Sequence, residues 1–212
     1  MLRLLVLLVL TAAAGRAETD TAAAIALFHA GKYPEARAAL AAIVARRPAD
    51  APACYYLGMA IRHRGDERAL DDALPWLERA AALAPANADY RADYGGTCLE
   101  VADRRRSFSL ATRGRDNMET ALRLDPTNLD ARFGLMRFYA EAPWPLGDVP
   151  KAFAAAEEIH RRNAGRGLGA LIWLGRYFSA HGQNADARDA CARASRLDPH
   201  NAAVQEILET LK

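Results

Sequence analysis

The side chains able to do chemistry in this chain are few and far apart. Three cysteines stand at positions 54, 98 and 191, and five histidines are scattered along 212 residues. There is no His-Glu-x-x-His, Cys-x-x-Cys, nucleophile elbow or phosphate loop. Glu157 and Glu158 are adjacent, and neighbours on a helix point about 100° apart, so they cannot share an acid–base task. His160 and His181 fall near predicted helix ends, where imidazoles serve structural purposes. Gly165-Arg166-Gly167-x-Gly169 is rich in glycine but follows a helix rather than a strand, which rules out a dinucleotide loop. It reads as a joint between two segments. Arg104-Arg105-Arg106 could hold a phosphate, but Glu100 and Asp103 offset it and favour a solvated helix end. Arg64-Gly65-Asp66 looks like an adhesion tripeptide and reads as a turn. These residues predict no catalytic group, no cofactor and no metal, with an enzyme of unrecognised site as the remote alternative.

Residues 1–17, MLRLLVLLVLTAAAGRA, have the form of a secretory leader. Arg3 supplies the basic start, Leu4 to Leu10 the apolar run, and Gly15 and Ala17 the small residues a signal peptidase reads. The apolar run is about half the roughly 20 residues a spanning helix needs, so no stable membrane anchor is expected after cleavage. A periplasmic or secreted bacterial protein is the expectation. Without Arg3 and Arg16 the chain balances at 26 basic to 26 acidic residues, which gives no electrostatic case for nucleic acid. Export favours disulfides. The cysteines are odd in number, however, and Cys54 and Cys98 lie too far apart in register to bridge, which predicts three buried thiols.

What positions these residues is a repeat. Ala-rich composition with helical periodicity predicts an all-α chain. The segment AxRLDPxN occurs at Ala121–Asn128 and Ala194–Asn201, with a weaker copy at Ala80–Asn87. Pro48, Pro85, Pro126 and Pro199 are separated by 37, 41 and 73 residues, the last gap being two repeats. In residues 168–201, Leu174-Gly175 is followed by Phe178, Gly182, Ala187, Cys191 and Pro199. This pattern resembles the tetratricopeptide repeat, whose period is about 34 residues, with Leu171 in place of its Trp and Cys191 in place of its Phe. The small residues Gly175 and Ala187 are expected where two antiparallel helices cross.

The resemblance implies a right-handed superhelical solenoid of about five helix pairs, with repeats near residues 17–50, 51–87, 88–128, 129–167 and 168–201. Residues 202–212 would form a capping helix with Ala203, Ile207, Leu208 and Leu211 on one face. The whole of 18–212 would be one domain. Repeat three carries seven extra residues between its landmarks, which should lengthen both its helices. Asp125-Pro126-Thr127-Asn128, Phe138-Tyr139, Ala142-Pro143 and Lys151-Ala152 resemble a subgroup of exported bacterial tetratricopeptide proteins and, more distantly, the regulators of microtubule dynamics. Gly147-Asp148 departs from the two glycines of that subgroup. Trp144, between two prolines, would pack against neighbouring helices or stand out as an anchor for a partner.

By the same resemblance, the first helices of successive repeats line a concave groove. Its lining would include Tyr55, Met59, Arg62, Phe133, Arg137, Ile172 and Arg176, with Trp173 adjacent and Asp89 and Glu141 as acidic members. Arginines among aromatics suit a peptide segment bearing acidic groups or a free carboxylate. The Lys and Asn set that grips chaperone tails is missing. A non-catalytic scaffold binding a protein or peptide is the expectation. The alternatives are a self-associating structural protein, which would form a homo-oligomer, and a subunit of an envelope complex.

Overall fold

The computed structural model describes residues 19–143 and 145–212. The leader at 1–17, the cleavage point before Glu18, and Trp144 lie outside the described residues. All regular structure among the described residues is helical. Helix α1 occupies residues 19–29. It is followed by α2 (Tyr33–Arg46), α3 (Ala51–Arg62), α4 (Ala69–Leu83), α5 (Ala88–Arg105) and α6 (Phe108–Leu124). Then come α7 (Leu129–Glu141), α8 (Val149–Arg162), α9 (Ala164–Ala180), α10 (Asn184–Leu197) and α11 (Ala202–Thr210). The chain divides into two compact units, Met1–Leu110 and Ala111–Lys212. The division falls inside the third repeat, just after α6 begins.

One local device sets the period. Pro48, Pro85, Pro126 and Pro199 each stand two residues past the end of a helix, which a ring without an N–H cannot continue. Two residues further on, a side-chain oxygen starts the next helix by accepting an otherwise unpaired backbone N–H. Asp50 accepts from Ala53 N at 3.0 Å, Asn87 from Tyr90 N at 3.0 Å, and Asn128 from Ala131 N at 2.8 Å. Asn201 accepts from Ala203 N at 3.1 Å and from Val204 N at 3.4 Å.

The α8–α9 joint is built differently, and the glycine run is not a joint. No proline follows α8. Asn163 alone, extended at φ −152° and ψ 105°, ends α8 and caps α9, accepting from Arg166 N at 2.9 Å. Gly165, Gly167 and Gly169 therefore lie within the first turns of α9. Gly167 is there because a Cβ would come within 2.3 Å of His160 Cα on α8. The turns α1–α2, α3–α4 and α9–α10 each use a left-handed glycine, Gly31, Gly65 and Gly182, with φ of +74°, +70° and +71°. Between α5 and α6 that place is taken by Arg106 at φ 51°. Helices α5 and α6 have 18 and 17 residues against 12 to 15 in α2 to α4, as the extra residues of the third repeat imply.

Each unit has its own core. In the first, Leu40, Ala53, Cys54 and Leu57 pack with Ala73 and Ala80, while Leu77 meets Tyr94 and Cys98. In the second, Phe153, Leu174, Phe178 and Cys191 pack with Val204 and Ile207. Gly175 lies at the expected close crossing, where a Cβ would meet Cys191 Sγ and Ile207 Cδ1 at 3.4 Å. Helix α11 buries Val204 and Ile207, and Leu211, just past its end, is buried as well. Val204 takes the place expected for Ala203, because both fit the helical period and the larger side chain fills the space against the core. Full burial of each such aliphatic side chain contributes about 1.5–3 kcal/mol.

Candidate functional site

In the unit Ala111–Lys212, the sequence-predicted residues gather on α7 and α9. Phe133 meets Trp173 edge-on with centroids 6.1 Å apart. The Arg137 guanidinium lies over Trp173, 5.2 Å from the ring centroid. Trp173 and Tyr177, one turn apart on α9, are stacked at 5.3 Å with planes 7° from parallel. Tyr177 continues to His181 at 4.2 Å. The rings of Phe133, Trp173 and Tyr177 are half-buried, with their inner edges against the core that also holds Ile172. Tyr177 is the member that the repeat positions miss. Its signal in the sequence is the four-residue spacing from Trp173, which puts both on one helix face.

In the unit Met1–Leu110, the corresponding strip runs across α3 and α5. Tyr55 stacks on Tyr90 at 4.3 Å, 20° from parallel, and meets Tyr56 edge-on at 5.0 Å. Its hydroxyl donates to Asp93 Oδ2 at 2.5 Å. Burial, reinforced by the Asp93 carboxylate, pushes this phenol well above its ordinary range. Met59 is half-buried beside the Leu77 cluster. Asp89 is exposed at the start of α5.

The arginines are not the anion-seeking row their sequence positions suggest, because each meets a carboxylate. Arg62 donates to Glu100 Oε1 at 3.0 Å and to Thr97 Oγ1 at 2.6 Å. Arg137 reaches Glu141 Oε1, one turn on, at 2.8 Å. Arg176, with 60% of its side chain exposed, faces Glu206 of α11 at the looser distance of 3.6 Å. Arg137 and Arg176 are therefore not a matched pair: one is held on a ring and the other extends toward the cap.

The other candidate chemistry resolves into structure. Arg104 and Arg105 both pair with Asp71 of α4, so the first two arginines of the run tie α5 to α4. Arg64 grips Asp66 through Nε at 2.7 Å and Nη2 at 2.8 Å, and also Asp72, so the adhesion-like tripeptide closes on itself. Cys54, Cys98 and Cys191 are buried free thiols, and burial raises the pKa of Cys54 and Cys191, which disfavours the thiolate. Among the described residues, no group of three or more His, Cys, Asp or Glu could hold a metal ion.

A model of the tetratricopeptide repeat family matches residues 21–88, across the first Pro-x-Asp joint and up to the second joint. Residues 21–88 match the tetratricopeptide repeat, and the described residues beyond them continue as helices of similar length. Solved structures of such proteins share the fold at low sequence identity. YrrB, described as a tetratricopeptide protein with an unusual peptide-binding site, aligns with a TM-score of 0.66 and 15% identity, over 88% of each chain. MamA aligns with a TM-score of 0.67 and 17% identity, over 86% of this chain and 92% of its own. TTC0263, a tetratricopeptide protein of Thermus thermophilus, aligns with a TM-score of 0.62 and 16% identity, over 92% of this chain and 98% of its own. No curated protein sequence matches the chain. At these identities the likeness is one of fold.

Proposed function

We propose that the protein is an exported, non-catalytic scaffold that binds an extended segment of a partner protein along the first helices of its repeats. The observation that carries this reading is the row of Phe133, Trp173 and Tyr177, with Arg137 laid on Trp173. Large rings left half-buried in a rigid row supply contact area with little ordering cost, as protein-binding hot spots do. The described character of YrrB supports the same use of the fold. Export is supported by the leader at residues 1–17, and a periplasmic or secreted location follows from it.

The test is selection of displayed random peptides on the purified protein, repeated on a Trp173→Ala, Tyr177→Ala variant. Peptides enriched on the wild type should lose about tenfold or more in affinity on the variant, while its helical circular dichroism is kept. Equal affinity for the two proteins places the binding face elsewhere. Failure of the wild type to enrich any peptide, together with a dimer in light scattering, favours self-association instead.

A further inference from the structure

The strip in the first unit differs from that in the second in its charge. Tyr55 and Tyr90 form a stacked pair bridging α3 and α5. Asp89, Asp93 and Glu100 follow one side of α5 at spacings of four and seven, so they share a face. Asp93 is in contact with the Tyr55 hydroxyl, and the charges of both Asp93 and Asp89 are felt at that ring. The basic side chain of the strip, Arg62, is engaged by Glu100 and Thr97. Arg104, further along α5, goes to Asp71 on α4. The rings are thus bordered by carboxylates, and the Arg62 and Arg104 cations are already engaged.

We propose that the Tyr55–Tyr90 strip is a docking surface for a cationic partner segment, one that presents arginine or lysine side chains between apolar ones. A guanidinium laid on a tyrosine face is attracted by the ring, and its edge can meet the carboxylates of Asp89 and Asp93. Its aliphatic stem has Met59 to lie along. An acidic segment would instead meet two carboxylates across a short distance. The occupant is therefore opposite in charge to the one the arginine positions suggest. This inference shares the segment-binding reading above but not its ring row, so the two can fail separately.

The experiment is fluorescence anisotropy on the purified protein. The probes are a labelled short peptide alternating arginine with leucine, its citrulline isostere, and its glutamate counterpart. The arginine peptide should bind about tenfold or more tightly than the citrulline one, more weakly as salt rises, and the glutamate peptide should be weakest. Asp89→Asn with Asp93→Asn should erase that preference. Arg62→Met, which releases Glu100, should raise it a few-fold. The same titrations on Trp173→Ala with Tyr177→Ala read the other row separately: a preference lost there and kept in the asparagine variant assigns the cationic segment to that row and overturns the proposal. If the asparagine variant loses its helical signal, Tyr90→Leu replaces it, removing a ring while keeping both carboxylates, with the same loss expected. Equal binding of arginine and citrulline peptides, preference for the glutamate peptide, or a preference that survives Asp89→Asn with Asp93→Asn (or Tyr90→Leu in its place) overturns the proposal.

Discussion

At Gly167 and Gly175 the same residue type faces different neighbours, and the difference decides what a methyl group would do. At Gly175 the nearest atoms to an added Cβ are side-chain ends at 3.4 Å, which can yield. Gly175→Ala should be close to neutral, since Ala gains about 1 kcal/mol of helix propensity over Gly. At Gly167 the added carbon would fall 2.3 Å from the backbone of His160. Gly167→Ala should cost about 1–3 kcal/mol by urea denaturation, because two helices must separate. Arg106 presents the reverse case. Its left-handed conformation costs about 1–2 kcal/mol, part of which Gly would recover at the expense of a more flexible unfolded chain. Arg106→Gly should raise the urea midpoint, by about 0.5–1 kcal/mol in stability. Tyr55 predicts a pH effect. Its folded pKa is raised, so the neutral phenol favours the fold. That contribution is fully present at neutral pH and declines as pH rises past the unfolded value of about 10. In an ultraviolet titration, Tyr55→Phe should remove the last tyrosine to ionise; loss of an earlier one would contradict the buried contact with Asp93.

At the scale of the helix, the caps are the testable parts. Asn128→Ala should cost about 1 kcal/mol and Asn128→Gly only a few tenths, measured as shifts in thermal midpoint. Asn163→Ala should cost more than Asn128→Ala, since one residue there both ends α8 and begins α9. The repeat is legible in the sequence because its signals are local: a proline, then two residues later an oxygen that caps. The glycine run at 165–169 is illegible for the converse reason, since its meaning depends on His160 standing opposite Gly167 across a helix crossing. The candidate site divides along the same line. The repeat resemblance is enough to assign Tyr55, Phe133, Arg137 and Trp173 to the first helices. Which carboxylate neutralises which arginine depends on contacts between helices, as with Glu100, 38 residues from Arg62. The charge of the strip therefore appears only in three dimensions. Helix α11 shows the limit of a short pattern: nine residues allow either Ala203 or Val204 inward, and packing against the core selects the larger side chain.

For the molecule as a whole, the proposed leader predicts a mature chain beginning at Glu18. Intact-mass measurement on protein from the producing cell should show the loss of residues 1–17. A mass that keeps them would remove the basis for a periplasmic location. Among the described residues, no helix is long and apolar enough to cross a membrane. The Pro-x-Asn and Pro-x-Asp joints have a further consequence, for how such a chain can change length. Stop and start signals sit within three residues, so the stretch between two joints is a transferable cassette. Excising residues 51–87 would leave Asp50 directly before Ala88, where its carboxylate could take the Tyr90 amide that Asn87 now holds. Neither flanking helix would need a new cap. The boundary at Asn163 lacks this freedom, because there one residue serves two helices and Gly167 must find His160. Duplication and loss of repeats in chains of this design should therefore be punctuated at the prolines, with the α8–α9 pair inherited as a single block.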